Sequence, residues 1–375
     1  LGRVVEEMAI LQLPQNGKDL NLSIDSKIQF LAYNAVKSAV EKHRAAAGGA
    51  VVLDTQTGEI LALANYPSYN PNDRKYLTGE QLRNRVLTDT FEPGSTMKPM
   101  TISAALETGK YTPDTKVETA PGSFKIGTAT VHDSHPNGLL TVAQVIQKSS
   151  NVGSAKIALS MEPQYMWGVF NQLGFGTITH VNFPGEAAGK LRNYKTWHPI
   201  EQATISYGNG ISVTLLQLAR AYTVFANDGE LRPVTLLKSK DVAVGQQVFS
   251  KATALSVRDM LETVVQAGGT APKAQVMGYR VAGKTGTAHK PGIGGYQDKY
   301  IASFVGMAPA SNPKLIVAVM IDEPSNGQYY GGIVAAPVFS SLMGATLRMM
   351  GVPQDAPNNN VILPPVGLPE VKEAT

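Results

Sequence analysis

Strand-like sequence is concentrated at the two ends of this chain, and that placement constrains the architecture more than any other feature. Near the start, the apolar runs Ala50–Leu53 and Ile60–Ala64 flank Asp54-Thr55-Gln56-Thr57-Gly58, a turn-forming stretch that predicts a β-hairpin. Near the end, Tyr279–Ala282, Tyr300–Ala308 and Lys314–Ile321 are again strand-like. From about Phe91 to Asp228 the periodicity is helical, with candidate helices at Pro99–Glu107, Thr141–Lys148, Val152–Leu159, Gln164–Leu173 and Leu215–Asn227. Short turns between neighbouring strands favour antiparallel pairing over β-α-β crossovers. The prediction is an α+β lobe assembled from both ends of the chain, with an all-helical lobe inserted over about 91–230. A cleft between two such lobes is a usual place for a site.

Further helices are predicted after Ser23-Ile24-Asp25, after Ser250 as far as Gln266, and over Ile333–Met349. Residues 353–375 are rich in Pro and Asn without a period and are expected to form a mobile tail. At 375 residues the chain can bury a large core unaided, and 43% apolar with 17% charged residues excludes a disordered or fibrous protein. The net charge of +4 comes without a basic run, so no nucleic-acid surface is indicated. There are no cysteines, which removes thiolate catalysis and Cys-rich metal sites. His132 and His135 fall in a turn-rich stretch that reads as a surface loop, so no metal or cofactor is expected. No apolar run is long enough to cross a bilayer.

Three short motifs carry the chemistry. In Glu92-Pro93-Gly94-Ser95-Thr96-Met97-Lys98-Pro99, Ser95 and Lys98 share one face of a helical turn. A lysine amine held against a serine hydroxyl can take its proton once burial disfavours the ammonium form. Ser95 at a helix start also offers backbone N–H groups to an oxyanion. In Ser149-Ser150-Asn151, Ser149 can relay a proton and Asn151 can bind a substrate amide. In Lys284-Thr285-Gly286-Thr287, on the first of the paired C-terminal strands, the lysine and the threonine hydroxyls can hold a carboxylate, and Gly286 permits close backbone approach. Singly, these read as a capped helix, a helix-to-helix cap and an exposed strand. In this order, they are the set shared by serine β-lactamases and penicillin-binding proteins.

With its flanking text, Gln147-Lys148 before the second motif, Ala288 after the third, and Tyr329-Tyr330-Gly331-Gly332 before Ala336-Pro337-Val338-Phe339, the chain resembles the transpeptidase domain of class B penicillin-binding proteins. It is most similar to the division-specific (septal) type of Gram-negative bacteria. The resemblance implies a penicillin-binding/serine β-lactamase-like fold over 18–352, with a five-stranded antiparallel sheet flanked by helices. Residues 1–17 then resemble the remnant of a linker or pedestal region. The implied activity is peptidoglycan D,D-transpeptidation, without a cofactor, through a Ser95 acyl-enzyme that β-lactams also form. Lys98 is implied as the base, Ser149 with Lys284 as the proton route to the leaving amine, and Asn151 as the holder of the acyl-side amide. Thr285, Gly286 and Thr287 are implied to bind the terminal carboxylate, and the backbone N–H groups of Ser95 and Thr287 to form the oxyanion hole. Tyr300, Tyr329 and Tyr330 are implied to wall the cleft, with a plain aromatic cluster as the alternative. Asn209 in Tyr207-Gly208-Asn209-Gly210 departs from the family, where an aromatic is common. Implied partners are stem peptides, as D-Ala-D-Ala donor and amine acceptor, and division-machinery proteins including a lipid II glycan polymerase. The implied location is the periplasmic face of the inner membrane, through an anchor absent from this chain. A D,D-carboxypeptidase or β-lactamase, or a β-lactam sensor domain, carries the same motifs.

Overall fold

The computed structural model describes residues 15–362 apart from 240 and 293. Helix α1 (Ser26–Lys42) is capped by Asp25, whose carboxylate accepts from the N–H groups of Lys27 and Ile28. It buries Ile28, Ala32, Val36, Ala39 and Val40, one face at helical spacing. Strands β1 (Ala47–Asp54) and β2 (Ile60–Tyr66) follow as the predicted hairpin.

The C-terminal strands are β3 (Ala282–Gly292), β4 (Gly295–Ala308) and β5 (Leu315–Asp322). All five form one antiparallel sheet in the order β2-β1-β5-β4-β3. The two ends of the chain meet where β1 pairs β5, from Ala47↔Asp322 to Asp54↔Leu315. Both strands are buried along nearly their whole length, and both read as continuous apolar runs rather than alternating ones. One face packs on α1 and the closing helix (Ala336–Met349), and the other faces the inserted segment.

The strand expected over Tyr279–Ala282 begins only at Ala282. The Tyr279 N–H bonds back to Val276 O, and Gly278 has φ +83°, so these residues make a turn. The strand instead runs on to Gly292, which puts Lys284-Thr285-Gly286-Thr287 in its interior. The inserted segment is mainly but not wholly helical. Lys116–Glu118 pairs with Leu139–Thr141, and Ser123–Ile126 pairs with Ala129–His132 around a Gly127-Thr128 turn. Gly127 at φ +60° supplies that turn, and the alternation Phe124, Ile126 was the signal for it.

The segment after Val352 is anchored rather than free as far as it is described. Asn360 donates to Val276 O and Tyr279 O, and Asp355 accepts from the Arg280 N–H and the Ser311 hydroxyl. Buried Tyr279 and the loop beside Arg280 thus supply the partners that composition alone does not reveal. Residues 1–14 and 363–375, which hold most of the expected remnant and the rest of the expected tail, lie outside the described residues.

Candidate active site

Three chain segments converge between the sheet and the inserted lobe. The first is a tight turn, Gly94–Met97, running into helix α2 (Lys98–Glu107). Gly94 has φ +56°, a conformation that favours glycine, and a β-carbon there would stand 3.3 Å from Thr287 O. The turn that carries Ser95 therefore lies directly against strand β3. From below, Tyr222, fully buried, donates its hydroxyl to Thr96 O at 2.9 Å. Residues 98–105 of α2 are all buried, so Ser95 and Lys98 are held by a rigid core element.

The second segment joins helix α3 (Val142–Lys148) to helix α4 (Asn151–Leu159). Ser149 ends α3 in the left-handed region, at φ +61° and ψ +41°. Ser150 then caps α4, its hydroxyl oxygen accepting from Gly153 N–H. The cap reading of this motif is thus correct, and it leaves the side chains of Ser149 and Asn151, which flank the capping residue, outside the cap. The third segment is β3.

Lys98 Nζ stands 2.8 Å from Ser95 Oγ, 3.0 Å from Ser149 Oγ and 2.6 Å from Ser149 O. Lys284 Nζ reaches the same Ser149 Oγ at 2.9 Å and Thr285 Oγ1 at 3.2 Å. Ser95, Lys98, Ser149, Lys284, Thr285 and Thr287 are all buried, the two lysines with 0% exposure. One hydroxyl thus links two amines, and each amine touches a further hydroxyl, Ser95 for Lys98 and Thr285 for Lys284. Such a chain can pass a proton from Ser95 to Lys98 and between Lys98 and Lys284 through Ser149.

Asn151 donates to His132 O at 3.2 Å, and its buried Oδ1 has no partner among the described residues. The Thr285 hydroxyl is bonded to Thr270 Oγ1 at 2.8 Å, and Thr287 Oγ1 accepts from Gly331 N–H at 2.9 Å. Gly286 faces Pro93 O, where a β-carbon would come within 2.8 Å. Tyr300 and Tyr329 stack with centroids 4.0 Å apart, Tyr329 and Tyr330 lie at 4.5 Å, and His289 joins Tyr300 at 4.4 Å. The tyrosines thus form one ladder, tied to the site through the Gly331–Thr287 bond. Desolvation first, then the Asp298 carboxylate, push the Tyr300 hydroxyl up to about 12.

Three supporting groups escaped the sequence reading. Asp133 accepts from the Ser150 hydroxyl at 2.6 Å and from Val152 N–H at 2.9 Å, fixing the second motif from the stretch read as a surface loop. Thr270 stands behind Thr285, with no local sequence signal. Glu92, quoted in the first motif without a role, accepts from Gly210 N–H at 2.8 Å and from the Tyr296 hydroxyl at 2.9 Å. Burial raises its carboxyl above the usual carboxylate range, against the lowering effect of those two bonds.

A buried serine–lysine pair, a second serine bridging two lysines, and a threonine-bearing edge strand beside them define an active-serine acyltransfer site of the penicillin-recognising kind. The chain belongs to the penicillin-binding protein transpeptidase domain family, whose profile matches residues 48–344. It is 49% identical over 93% of its length to a probable peptidoglycan D,D-transpeptidase PenA of Neisseria flavescens, covering 87% of that protein. It is 42% identical over 95% of its length to the peptidoglycan D,D-transpeptidase FtsI of Escherichia coli K12, of which it spans 60%. Among solved structures it is similar to the apo transpeptidase domain of Burkholderia pseudomallei penicillin-binding protein 3, with 53% identity and a TM-score of 0.84 over 92% of this chain and 100% of that one.

Proposed function

We propose that this chain is the catalytic part of a peptidoglycan D,D-transpeptidase, with Ser95 as nucleophile. The observation that carries the reading is the Ser95–Lys98–Ser149–Lys284 chain, buried and closed at 2.8, 3.0 and 2.9 Å. Two ammonium groups facing one hydroxyl away from water repel each other, and loss of a proton from one relieves this. Lys98 acts in its uncharged form. Ser95 Oγ attacks the carbonyl carbon of the penultimate D-alanine while its proton passes to Lys98. The backbone N–H groups of Ser95 and Thr287 take the charge that develops on the carbonyl oxygen.

Collapse of the tetrahedral species breaks the C–N bond. The leaving D-alanine amine receives a proton from Lys98, carried through Ser149 with Lys284 beside it. The primary amine of a second stem peptide then attacks the Ser95 ester, forms the crosslinking amide and returns the proton to Ser95 Oγ. Asn151 holds the acyl-side amide, and Thr285 and Thr287, with the Gly286 backbone between them, receive the terminal carboxylate. Tyr300, Tyr329 and Tyr330 wall the cleft. β-Lactams enter the same path and stop at the ester.

The identity to the Escherichia coli FtsI supports a septal role at the periplasmic face of the inner membrane, beside a glycan polymerase of the division machinery. Among the described residues no helix is long and apolar enough to cross a membrane. Intact-mass measurement after benzylpenicillin tests the proposal. One long-lived adduct on Ser95 is expected, and none in Ser95→Ala. Adduct formation in Ser95→Ala, or rapid turnover in place of an adduct, overturns it.

A further inference from the structure

On the face of the sheet turned away from the inserted lobe, α1 and the closing helix leave a groove of about 380 Å³ between them. Helix α1 lines it with Leu31, Ala35 and Ala39, one face at a spacing of four, with Asn34 and Ser38 beside them. The facing wall is Val334, at the end of the short helix Gly331–Val334, with Pro337, Val338 and Ser341 of the closing helix. The floor is thus aliphatic, and the small side chains of Ala35 and Ala39 keep it open. From Leu31 to Lys42 it runs roughly 16 Å, from the rise per residue of a helix. A long apolar channel of this volume suits a small molecule with an extended chain.

One end of the groove is polar, and its hydrogen bonds fix what it can bind. His43, only 3% exposed, follows α1 there beside Lys42. The Asn326 amide nitrogen donates to Lys42 O at 3.2 Å, and the amide oxygen accepts from Gln328 N–H at 3.2 Å. Those two bonds set which end of the amide is which. The nitrogen is also the nearer to His43 Nδ1, at 3.1 Å against 3.4 Å for the oxygen, so Nδ1 accepts. Burial lowers the His43 pKa, against the Asn326 bond and with the Lys42 charge, so the ring is neutral at pH 7 and Nε2 carries its hydrogen. Among the described residues that N–H has no partner, and Lys42 forms no ion pair. The adjacent Glu41 is turned to Lys37 and to the Tyr66 hydroxyl. The groove therefore ends in one N–H donor and one ammonium group, a pair that fits an anion accepting hydrogen bonds.

We propose that this groove is a binding site for a free straight-chain fatty acid, with the carboxylate on Lys42 and the His43 Nε2–H and the chain laid between α1 and the closing helix. No residue of the three motifs lines it, and the inference does not rest on the transpeptidase reading. Lys42 and His43 are the only ionisable side chains lining the groove among the described residues. A carboxylate beside His43 favours the protonated ring, so occupancy raises its pKa, which a cationic head does not do.

The test uses the intact chain, probes held below micelle formation, and the histidine ring resonances, with His43 assigned through His43→Gln. Decanoate is expected to shift the His43 signals on binding and to raise its titration midpoint. Decyltrimethylammonium, of equal chain length and opposite charge, should bind about tenfold more weakly. Butanoate should bind more weakly by about twofold for each methylene removed, as for a chain buried on one side. Lys42→Gln, at an exposed position, and raised salt should each shrink the preference for decanoate over the cation. Equal binding of the two long-chain probes, or decanoate binding that leaves His43 unmoved, overturns the inference. So does displacement of decanoate by benzylpenicillin, which would put it in the cleft. Decanoate affinity that falls as protein concentration rises gives the groove to a second copy of the chain and overturns the inference too.

Discussion

Ser149 shows what a single residue contributes here. Its left-handed backbone turns the chain between two helices, and its hydroxyl touches both Lys98 and Lys284. Replacing it by Ala keeps the same backbone demand and removes only that hydroxyl. Ser149→Ala is expected to slow acylation by about a hundredfold or more, the range of a lost proton-transfer group, with little change in melting temperature. A fluorescent-penicillin time course alongside a thermal melt checks this, and an unchanged rate removes Ser149 from the proton route. The three motifs were legible because their residue types are unusual in combination, but Asp133 was not. Its partners, Ser150 and Val152, are remote in sequence, and a lone acid in a turn has no signature of its own. A second residue-scale prediction concerns Glu323. Hydrogen bonds from Lys290 and Lys299 hold its carboxyl below the usual carboxylate range. The folded group thus binds its proton less tightly than the unfolded one, so its stabilisation is present above the unfolded value and is lost as pH falls through the folded one. Glu92 works in the opposite sense, since burial raises it and its protonated form favours folding. Glu323→Gln should therefore soften the acid-side fall in melting temperature, modestly because the pair is largely solvated. Parallel acid limbs in the two proteins would refute this.

At the scale of the elements, the hairpin of β3 and β4 and the turn before the closing helix work as one unit. Gly331 donates its N–H to Thr287, and a β-carbon at Gly331 would come within 2.4 Å of Ser303 O and 2.5 Å of Gly286 O. Those are backbone atoms of two paired strands and cannot move aside cheaply. Gly331→Ala is expected to cost about 2–3 kcal/mol of stability and to slow acylation through displacement of Thr287, measured by denaturant unfolding and by penicillin labelling. A fully stable variant would show that the turn is not clamped to the strand. The elements themselves were readable to different degrees. Asp25, Thr141, Thr214 and Ser250 announce helix starts, and all four cap helices in the structure. The start of β3 was misplaced because Tyr279 and Val281 are strand formers held in a turn by Gly278, where tertiary contacts override propensity. The short strands of the inserted lobe were overlooked because they are only three or four residues long.

For the whole molecule, the decisive contact is the pairing of β1 with β5, which no local pattern could reveal. Val51 lies opposite Ala318 although nearly the whole catalytic segment intervenes. Alternation and turn residues predict strands, but the sheet order comes from which faces must be covered, and that depends on α1 and the closing helix packing together. The same logic decides how the protein comes apart. Met97, Met100 and Ile102, which follow Ser95 in the chain, belong to one continuous hydrophobic cluster with Val51 and Val52 of β1, Val317 of β5 and Phe225 of the inserted lobe. The lobe and the sheet thus share apolar core rather than meeting across a polar boundary alone. Two lobes that share a core cannot lose it separately, so the catalytic geometry and the global fold should be lost in one step. Calorimetry is expected to show a single transition for the apo chain, coincident with loss of penicillin labelling. Acylation by benzylpenicillin should shift that transition upward as a unit, because the adduct is bound by groups from all three segments only when they are together. Two separable transitions, or an adduct that stabilises only one of them, would mean that the inserted lobe and the sheet fold independently and that the site is assembled by docking rather than by a common core.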